Sequence, residues 1–243
     1  MKKLACLLLG LAIAVCCTAA SADARIAPLR VVFISGSAEY ESDKTMPILK
    51  KYLESKYPSL VTIVSAKSDS DLPGLEKLET CDVAVLFTRR LKLQGDQLER
   101  IKKYVASGKP LVGIRTASHG IQSWLELDKE VFGGNYQGHY KEGILCNVNL
   151  TPNDKERPIL DGVKPFKSKG SLYKNTGLAK DVDVLLTGSI PDHTEPIAWT
   201  RMNKNQRVFY TSLGHQADFE EESFLRLVTN GILWAANRTP RKK

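Results

Sequence analysis

The feature that most constrains the fold is an alternation of short apolar runs with helical segments between residues 29 and 115. The apolar runs are rich in β-branched residues and predict strands, and the segments between them have apolar residues at helical spacing. The predicted strands are Leu29–Ser35, Leu60–Val64, Val83–Thr88 and Leu111–Arg115, and the predicted helices are Ser42–Tyr57, Leu72–Leu78 and Gln94–Ser107. Strands that are apolar on both faces and alternate with helices are typical of a parallel sheet covered on two sides. The sequence therefore predicts a doubly wound α/β core.

From about Asp128 the alternation weakens, and we expect at least some antiparallel strands in the C-terminal half. A loop rich in glycine and aromatic residues comes first, then four predicted strands and a closing helix. These segments are the loop Phe132–Gly143, the strands Ile144–Leu150, Asp183–Ser189, Glu195–Met202 and Arg207–Leu213, and the helix Phe219–Asn237. No linker divides them, so one α/β domain over residues 27–238 is predicted. In such sheets ligands bind at the carboxyl ends of the strands, here in loops that begin near Gly36, Thr88 and Arg115.

Composition is that of an ordinary globular protein, with 42% hydrophobic and 26% charged residues in a chain of 243. This excludes disordered, collagen-like and coiled-coil proteins. The net charge of +8 is weak support for a nucleic-acid partner. The basic run Arg89–Lys92 is short and lacks interleaved aromatic residues, so we expect no nucleic-acid partner. The glycine patterns lack the spacing of a phosphate-binding loop, and no cofactor is predicted.

The first 22 residues have the pattern of a cleaved signal peptide. Two lysines, Lys2 and Lys3, precede the apolar run Leu4–Val15, and small residues around Ala20 and Ala22 follow. The run is too short to span a bilayer, which needs roughly 20 residues; a buried N-terminal helix is the less favoured alternative. We therefore expect a secreted or periplasmic protein that has no membrane contact after cleavage.

Two cysteines, Cys81 and Cys146, remain beyond the predicted signal peptide. An oxidising compartment would allow them to pair in a disulfide. Each, however, belongs to a different strand-like apolar run. Two separately buried thiols are therefore the favoured interpretation.

Three of the four histidines stand after strands or in glycine-rich turns. His119 follows the fourth strand, His139 lies in the segment Gly133–Tyr140, and His215 follows the last strand. A lone histidine is more often a packing or surface residue, but this placement favours a site. Histidine exchanges protons near neutral pH, so these residues are candidates for acid–base chemistry. No pair has the i, i+4 spacing of helical metal ligands, and no metal site is predicted.

Further polar candidates also follow strands. Arg115 could hold a carboxylate, a phosphate or sugar hydroxyls through its fork of donors, or it could form a structural ion pair with Glu39 or Asp218. Glu39 and Tyr40 follow the first strand and should face the same crevice. For Glu39 the alternative is an acid that interacts with a helix N-terminus.

The segment Gly133–Tyr140 is rich in the side chains that bind sugars. Aromatic faces suit the apolar faces of sugar rings, and amides suit their hydroxyls. Its candidates for substrate binding are Asn135, Tyr136, Gln137, His139 and Tyr140. The same composition also suits a tight surface loop, in which glycines supply positive φ angles.

Several motifs together resemble the ThuA-like (trehalose-utilisation) family. Its pattern is matched by Leu111–His119, Gly133–Tyr140 and Arg207–His215, and also by Phe33–Tyr40 and Gly231–Ala236. The resemblance covers nearly all of the chain beyond the signal peptide. It implies the flavodoxin-like fold of class I glutamine amidotransferases and a role in carbohydrate metabolism, such as processing of a keto-sugar or glycoside.

The resemblance to class I amidotransferases also allows a test of residues. Those enzymes have a cysteine in a Gly-Ile/Val-Cys-x-Gly elbow, and the matching segment here, Gly113–Ala117, has Arg115 at that position. A guanidinium stays protonated and cannot attack a carbonyl. His215 and Asp218 match the amidotransferase His-Pro-Glu segment only loosely. We therefore expect no glutaminase activity.

Two functions from different classes remain open. The first is an enzyme acting on a small-molecule carbohydrate, with His119, His215 and Glu39 as catalytic groups. Its substrate-binding residues would be Arg115, Tyr40 and Asp218 together with the five loop residues named above. The second is a non-catalytic carbohydrate-binding or scaffold protein on the same fold. The oligomeric state is not predicted.

Overall fold

The computed structural model describes residues 27–152 and 157–239, so the predicted signal peptide lies outside the described residues. Within these two ranges, nine strands form one mixed sheet. In chain order they are β1 (Leu29–Gly36), β2 (Ser59–Ser65), β3 (Val83–Thr88), β4 (Leu111–Ile114), β5 (Cys146–Leu150), β6 (Phe166–Ser168), β7 (Val182–Ile190), β8 (His193–Asn203) and β9 (Gln206–Thr211). Their order across the sheet is β2-β1-β3-β4-β9-β8-β7-β5-β6.

The sheet has a parallel part and an antiparallel part. Strands β2, β1, β3, β4 and β9 are parallel to one another. Strand β8 then runs antiparallel to β9, and β7, β5 and β6 continue the antiparallel pairing. This confirms the predicted mostly parallel α/β sheet with antiparallel strands from the C-terminal half. All six residues of β3 are buried, whereas β5 alternates buried and exposed residues, as expected for a strand with one solvated face.

In the part of the chain that the structure describes, three α-helices cover the sheet: α1 (Ser42–Lys56), α2 (Gly95–Ala106) and α3 (Glu222–Ala235). Helices α1 and α3 pack in one apolar cluster and α2 in a second one. At Gly231 of α3, a Cβ atom would lie 2.4 Å from the Phe209 ring, so glycine permits the close approach of α3 to β9. No helix in the described ranges is both long and apolar enough to cross a bilayer.

Three local predictions need correction. The segment predicted as a helix at Leu72–Leu78 is a 3₁₀ helix at Leu75–Glu79. The closing α-helix begins at Glu222 rather than Phe219, because a separate 3₁₀ turn, Gln216–Glu220, precedes it. Strand β6 was not predicted, since its three residues are too few to show a period.

The two cysteines lie in different apolar clusters. Cys81 belongs to the cluster that contains α2, and Cys146 belongs to the cluster that contains α1 and α3. Both are buried and have free thiols. The prediction of two separate thiols is confirmed.

Candidate functional site

The carboxyl ends of β1, β3, β4 and β9 meet at one edge of the sheet, where strand β4 turns abruptly into a 3₁₀ helix, Arg115–His119. Arg115 occupies the turn with a φ of 45°, a left-handed conformation that few residues other than glycine adopt. The Tyr210 hydroxyl donates to the Arg115 carbonyl at 2.6 Å and helps to hold the turn. A strained strand-to-helix turn is the geometry of a nucleophile elbow, here with arginine at its apex.

The Arg115 side chain is 1% exposed and is stacked between two tyrosines. Its Cζ lies 4.5 Å from the centroid of the Tyr40 ring and 4.6 Å from that of Tyr173. Nη1 donates to the Ser212 carbonyl at 2.7 Å, and Nη2 donates to the Ser171 hydroxyl at 3.2 Å. Its Nε has no hydrogen-bond partner among the described residues. We refer to Tyr40, Arg115 and Tyr173 as the Arg115 stack.

Neither ion pair considered for Arg115 is formed. Glu39 pairs instead with the Nε of Arg89, and both side chains are partly exposed. The main-chain carbonyl of Glu39 accepts a hydrogen bond from the Gln216 side chain at 2.9 Å. Glu39 therefore lies near the segment that follows β9, with its charge balanced by Arg89.

His119 lies at the Tyr173 end of the stack. Its ring is 4.4 Å from the Tyr136 ring, centroid to centroid and nearly parallel, and 6.1 Å from that of Tyr173. Its Nδ1 is 3.1 Å from the Ser118 hydroxyl. Burial lowers the pKa of His119 to about 4, and the charges of Arg90, Arg89 and Arg115 add to the effect. His119 is therefore neutral at pH 7.

His215 lies at the Tyr40 end, with its ring edge-on to Tyr40 at a centroid distance of 6.3 Å. Its Nδ1 accepts a hydrogen bond from the Ala217 amide at 3.2 Å. The proton of the neutral ring is therefore on Nε2, where it can be donated. Burial lowers the pKa of His215, and the Asp218 carboxylate partly opposes this.

Asp218 is buried, and its hydrogen bonds go to groups other than the His215 ring. Its carboxylate accepts from the Ser168 hydroxyl at 2.7 Å and from the amides of Gly214 and His215 at 2.8 and 3.0 Å. It thus closes a capping box with His215 at the start of the 3₁₀ turn Gln216–Glu220. The two residues do not form the hydrogen-bonded pair of a nucleophile-activating base and its orienting carboxylate.

Of the five candidates in the loop, Tyr136 is the one that joins the stacked rings. Its ring packs on His119 and also on Tyr173, at 4.5 Å between centroids. Its main-chain amide donates to the Asp128 carboxylate at 2.8 Å. Asp128 is buried, which raises its pKa to about 6.

The other four loop candidates have contacts elsewhere. The Asn135 side chain donates to the Thr176 carbonyl at 2.7 Å, and the main-chain amide of Gln137 donates to the Lys174 carbonyl at 3.0 Å. His139 is exposed, and its Nδ1 lies 2.8 Å from the Tyr140 carbonyl. The Tyr140 hydroxyl donates to Glu195 at 2.9 Å, and its ring stacks on His193. These contacts fix the loop to the segment between β6 and β7 and to strand β8.

Sequence reasoning missed Tyr173, Asp128 and the role of Arg89. Tyr173 belongs to no strand or motif, and Asp128 lies in a short π-helical turn, Leu127–Phe132. The one signal in the sequence was the glycine at position 134. A Cβ atom there would lie 2.3 Å from Asp128 Oδ1, so this glycine marks a close approach. Among the residues described, no three His, Cys, Asp or Glu side chains are grouped as metal ligands would be.

Comparisons with known proteins agree with this architecture. A ThuA-like protein of Parabacteroides merdae has a TM-score of 0.70 and 20% identity, covering 89% of this chain and 93% of its own. A ThuA-like protein of Bacteroides uniformis has a TM-score of 0.66 and 19% identity, covering 88% and 96%. A glutamine amidotransferase of Thermotoga maritima has a TM-score of 0.51 and 13% identity, covering 86% and 98%. At these identities the likeness shows the shared fold alone.

Sequence comparison gives the family. No curated protein matches the chain. The sequence model of the ThuA family, described as trehalose utilisation, matches residues 30–235 and includes every strand end described above. The chain therefore belongs to the ThuA (trehalose utilisation) family, which indicates a role in carbohydrate metabolism.

Proposed function

We propose that the protein is exported and acts on a sugar, keto-sugar or glycoside by histidine-based acid–base chemistry. The observation that carries the proposal is the neutral His119 imidazole stacked on Tyr136 at one end of the Arg115 stack. An imidazole that is unprotonated at pH 7 can accept a proton from a hydroxyl or from a carbon next to a carbonyl. Membership of the ThuA family supports carbohydrate as the substrate class.

The positive charges around His119 suit this reaction. Arg89, Arg90 and Arg115 all disfavour a protonated His119. When a proton leaves the substrate, however, negative charge develops on a substrate oxygen, and the same guanidinium groups stabilise it. His215, which carries its proton on Nε2, is the proposed donor to an oxygen of the substrate. The Glu39 carboxylate, near the segment that follows β9, is proposed to accept a hydrogen bond from a sugar hydroxyl.

The elbow geometry supports the absence of glutaminase activity. Arg115 holds the position at which an amidotransferase has its cysteine, and it is stacked between two rings. His215 Nδ1 is occupied by a main-chain amide. The residue at the position of the amidotransferase cysteine is thus not a nucleophile, and His215 is not oriented to activate one there.

A non-catalytic carbohydrate-binding protein is the second candidate. One observation favours it: the Asp218 carboxylate accepts from main-chain amides and Ser168, so it does not orient His215 as a base. In this alternative the partly exposed Tyr136 ring would stack on a bound sugar, and the sugar would not be converted to a product.

Substrate screening separates the two candidates. The mature protein is incubated with disaccharides and their keto derivatives, and both turnover and thermal shift are followed. We expect turnover that falls at least ~100-fold in His119→Gln and in His215→Gln, and that is unchanged in the control His193→Gln. A sugar that stabilises the protein without turnover supports the binding protein instead. If no sugar is turned over or bound, both candidates fail.

Export has its own test. The N-terminal sequence of the protein purified from its native host should begin at Asp23 or Arg25, after one of the two Ala-x-Ala patterns. A protein that retains Met1 and stays in the cytosol would contradict export and leave the proposed chemistry untouched.

A further inference from the structure

Asp128 is placed as an anchor for the loop that carries Tyr136. Its main-chain carbonyl accepts from the Gly134 amide at 3.0 Å, and its carboxylate Oδ2 accepts from the Tyr136 amide at 2.8 Å. The second oxygen, Oδ1, is buried without a partner among the described residues. Because a Cβ atom at Gly134 would collide with this oxygen, the glycine is what lets the loop fold over the carboxyl group.

The anchored amide fixes the position of a ring. Tyr136 lies on His119 with 4.4 Å between centroids and an angle of 18° between planes, and it also packs on Tyr173. The outer face of the Arg115 stack is thus covered by the Tyr136 ring. Stacking alone permits sliding, whereas the hydrogen bond that the Tyr136 amide donates to a buried carboxyl group fixes the main chain that carries the ring.

We propose that Asp128 is a positioning residue of the candidate site, which holds the Tyr136 ring on the His119 imidazole through the Tyr136 amide. The inference rests on the proposed function only in treating His119 as the reacting group. The chain of contacts from Asp128 to His119 stands whether or not the protein turns over a sugar.

The proposal has a consequence that does not require a substrate. Burial is the main cause of the low pKa of His119, and the neighbouring charges are Arg90, Arg89, Arg115 and His139. Removing the Tyr136 ring from His119 returns water to the imidazole. The pKa of His119 then rises toward its ordinary value of 6.5, whereas His215, which lies at the other end of the stack, keeps its pKa.

The experiment is an NMR pH titration of the histidine rings in the folded mature protein, with the His119 signal assigned by His119→Gln. We expect His119 to titrate near pH 4 in the wild type. In Asp128→Ala its pKa should rise by at least about one unit. Asp128→Asn, which keeps an oxygen acceptor for the Tyr136 amide, should restore most of the low pKa. Tyr136→Ala should reproduce Asp128→Ala, and the double variant should add no further shift.

The proposal is overturned if folded Asp128→Ala leaves the His119 pKa at its wild-type value, or if Asp128→Asn shifts it as much as alanine does. Should Asp128→Ala not fold, Asp128→Leu removes the acceptor while keeping a similar shape. Tyr136→Ala alone remains decisive, because an unchanged His119 pKa in that variant refutes the positioning role. None of these readouts uses a sugar, so failure of the proposed function would be seen separately in the turnover assays.

Discussion

At each end of the Arg115 stack, a histidine and a tyrosine lie beside a segment held by a buried aspartate. At the His215 end, Asp218 accepts three hydrogen bonds from one hydroxyl and two amides. At the His119 end, Asp128 accepts one hydrogen bond to its carboxyl group and leaves Oδ1 without a partner among the described residues. A buried carboxylate is stable when its oxygens are bonded and costly when they are not. The two ends therefore have the same arrangement of residues, but the buried carboxylate is fully hydrogen-bonded at the His215 end and only partly hydrogen-bonded at the His119 end.

The two histidines also differ in how firmly a hydrogen bond fixes Nδ1. Nδ1 of His215 is fixed by the Ala217 amide, so its neutral form has one tautomer and a proton to donate at Nε2. Nδ1 of His119 faces the Ser118 hydroxyl, which can donate or accept, so either tautomer is possible. This difference supports the proposed division, in which His119 accepts a proton and His215 donates one. The following predictions test it from the largest expected effect to the smallest.

Arg115 is shared by both ends, and its removal should give the largest effect. Arg115→Ala leaves the Ser212 carbonyl and the Ser171 hydroxyl without their donor and opens a cavity between Tyr40 and Tyr173. We expect the free energy of unfolding to fall by about 3–5 kcal/mol, measured by urea denaturation.

The control for this variant is Arg207→Ala. Arg207 also lies over an aromatic ring, that of Trp234, but it is partly exposed and remote from the stack. Its removal should cost about 1 kcal/mol or less. If Arg115→Ala lowers the free energy of unfolding no more than the control does, the packing of Arg115 between Tyr40 and Tyr173 does not hold the two ends together.

Asp218→Ala and Asp128→Asn should change the free energy of unfolding in opposite directions. Asp218→Ala removes an acceptor from the Gly214 and His215 amides and from Ser168. We expect a loss of about 2–3 kcal/mol in the free energy of unfolding. The pKa of His215 should also fall, because Asp218 raises it. A change in the His119 pKa of the same size would contradict the independence of the two ends.

Asp128→Asn should instead stabilise the protein, by about 1–2 kcal/mol at pH 7. The carboxyl group has a pKa of about 6 in the folded chain against 3.8 ordinarily, so the folded state binds its proton more tightly than the unfolded state. Stability therefore falls as pH rises from about 4 to 6, and the cost is complete above pH 6. Asparagine keeps the acceptor for Tyr136 but puts an unpartnered amide nitrogen in place of Oδ1, which limits the gain.

The check is urea denaturation of wild type and Asp128→Asn at pH 4.5 and pH 7. The advantage of the variant should be small at the lower pH and larger at pH 7. A constant difference at both values would show that Asp128 has an ordinary pKa.

Much of the fold, but only part of the site, could be predicted from the sequence. Strands such as β1 and β3 are continuous apolar runs, and their burial on both faces is a local property that periodicity reveals. The same rule placed Arg115, His119 and His215 at strand ends. Tyr173 and Asp128 could not be found this way, since their places depend on where distant segments return to the sheet. The contact between Asp128 and Tyr136 spans a π-helical turn and a glycine pair, which have no periodic signature.

The smallest expected effect concerns Arg90, whose charge acts on one end alone. Arg90 is exposed and follows β3, and its charge helps to lower the pKa of His119 but is not among the charges that act on His215. Arg90→Gln should therefore raise the His119 pKa by a few tenths of a unit at low ionic strength, because exposed charges interact weakly through water. The rise should shrink in about 0.5 M salt, where screening shortens the range of the interaction. NMR titration of both histidines measures it, with Arg100→Gln, a residue of α2 paired with Glu79, as the matched control. An equal shift at His215 would mean that the arginines at the strand ends act on both ends together, and the division into acceptor and donor would lose its electrostatic basis.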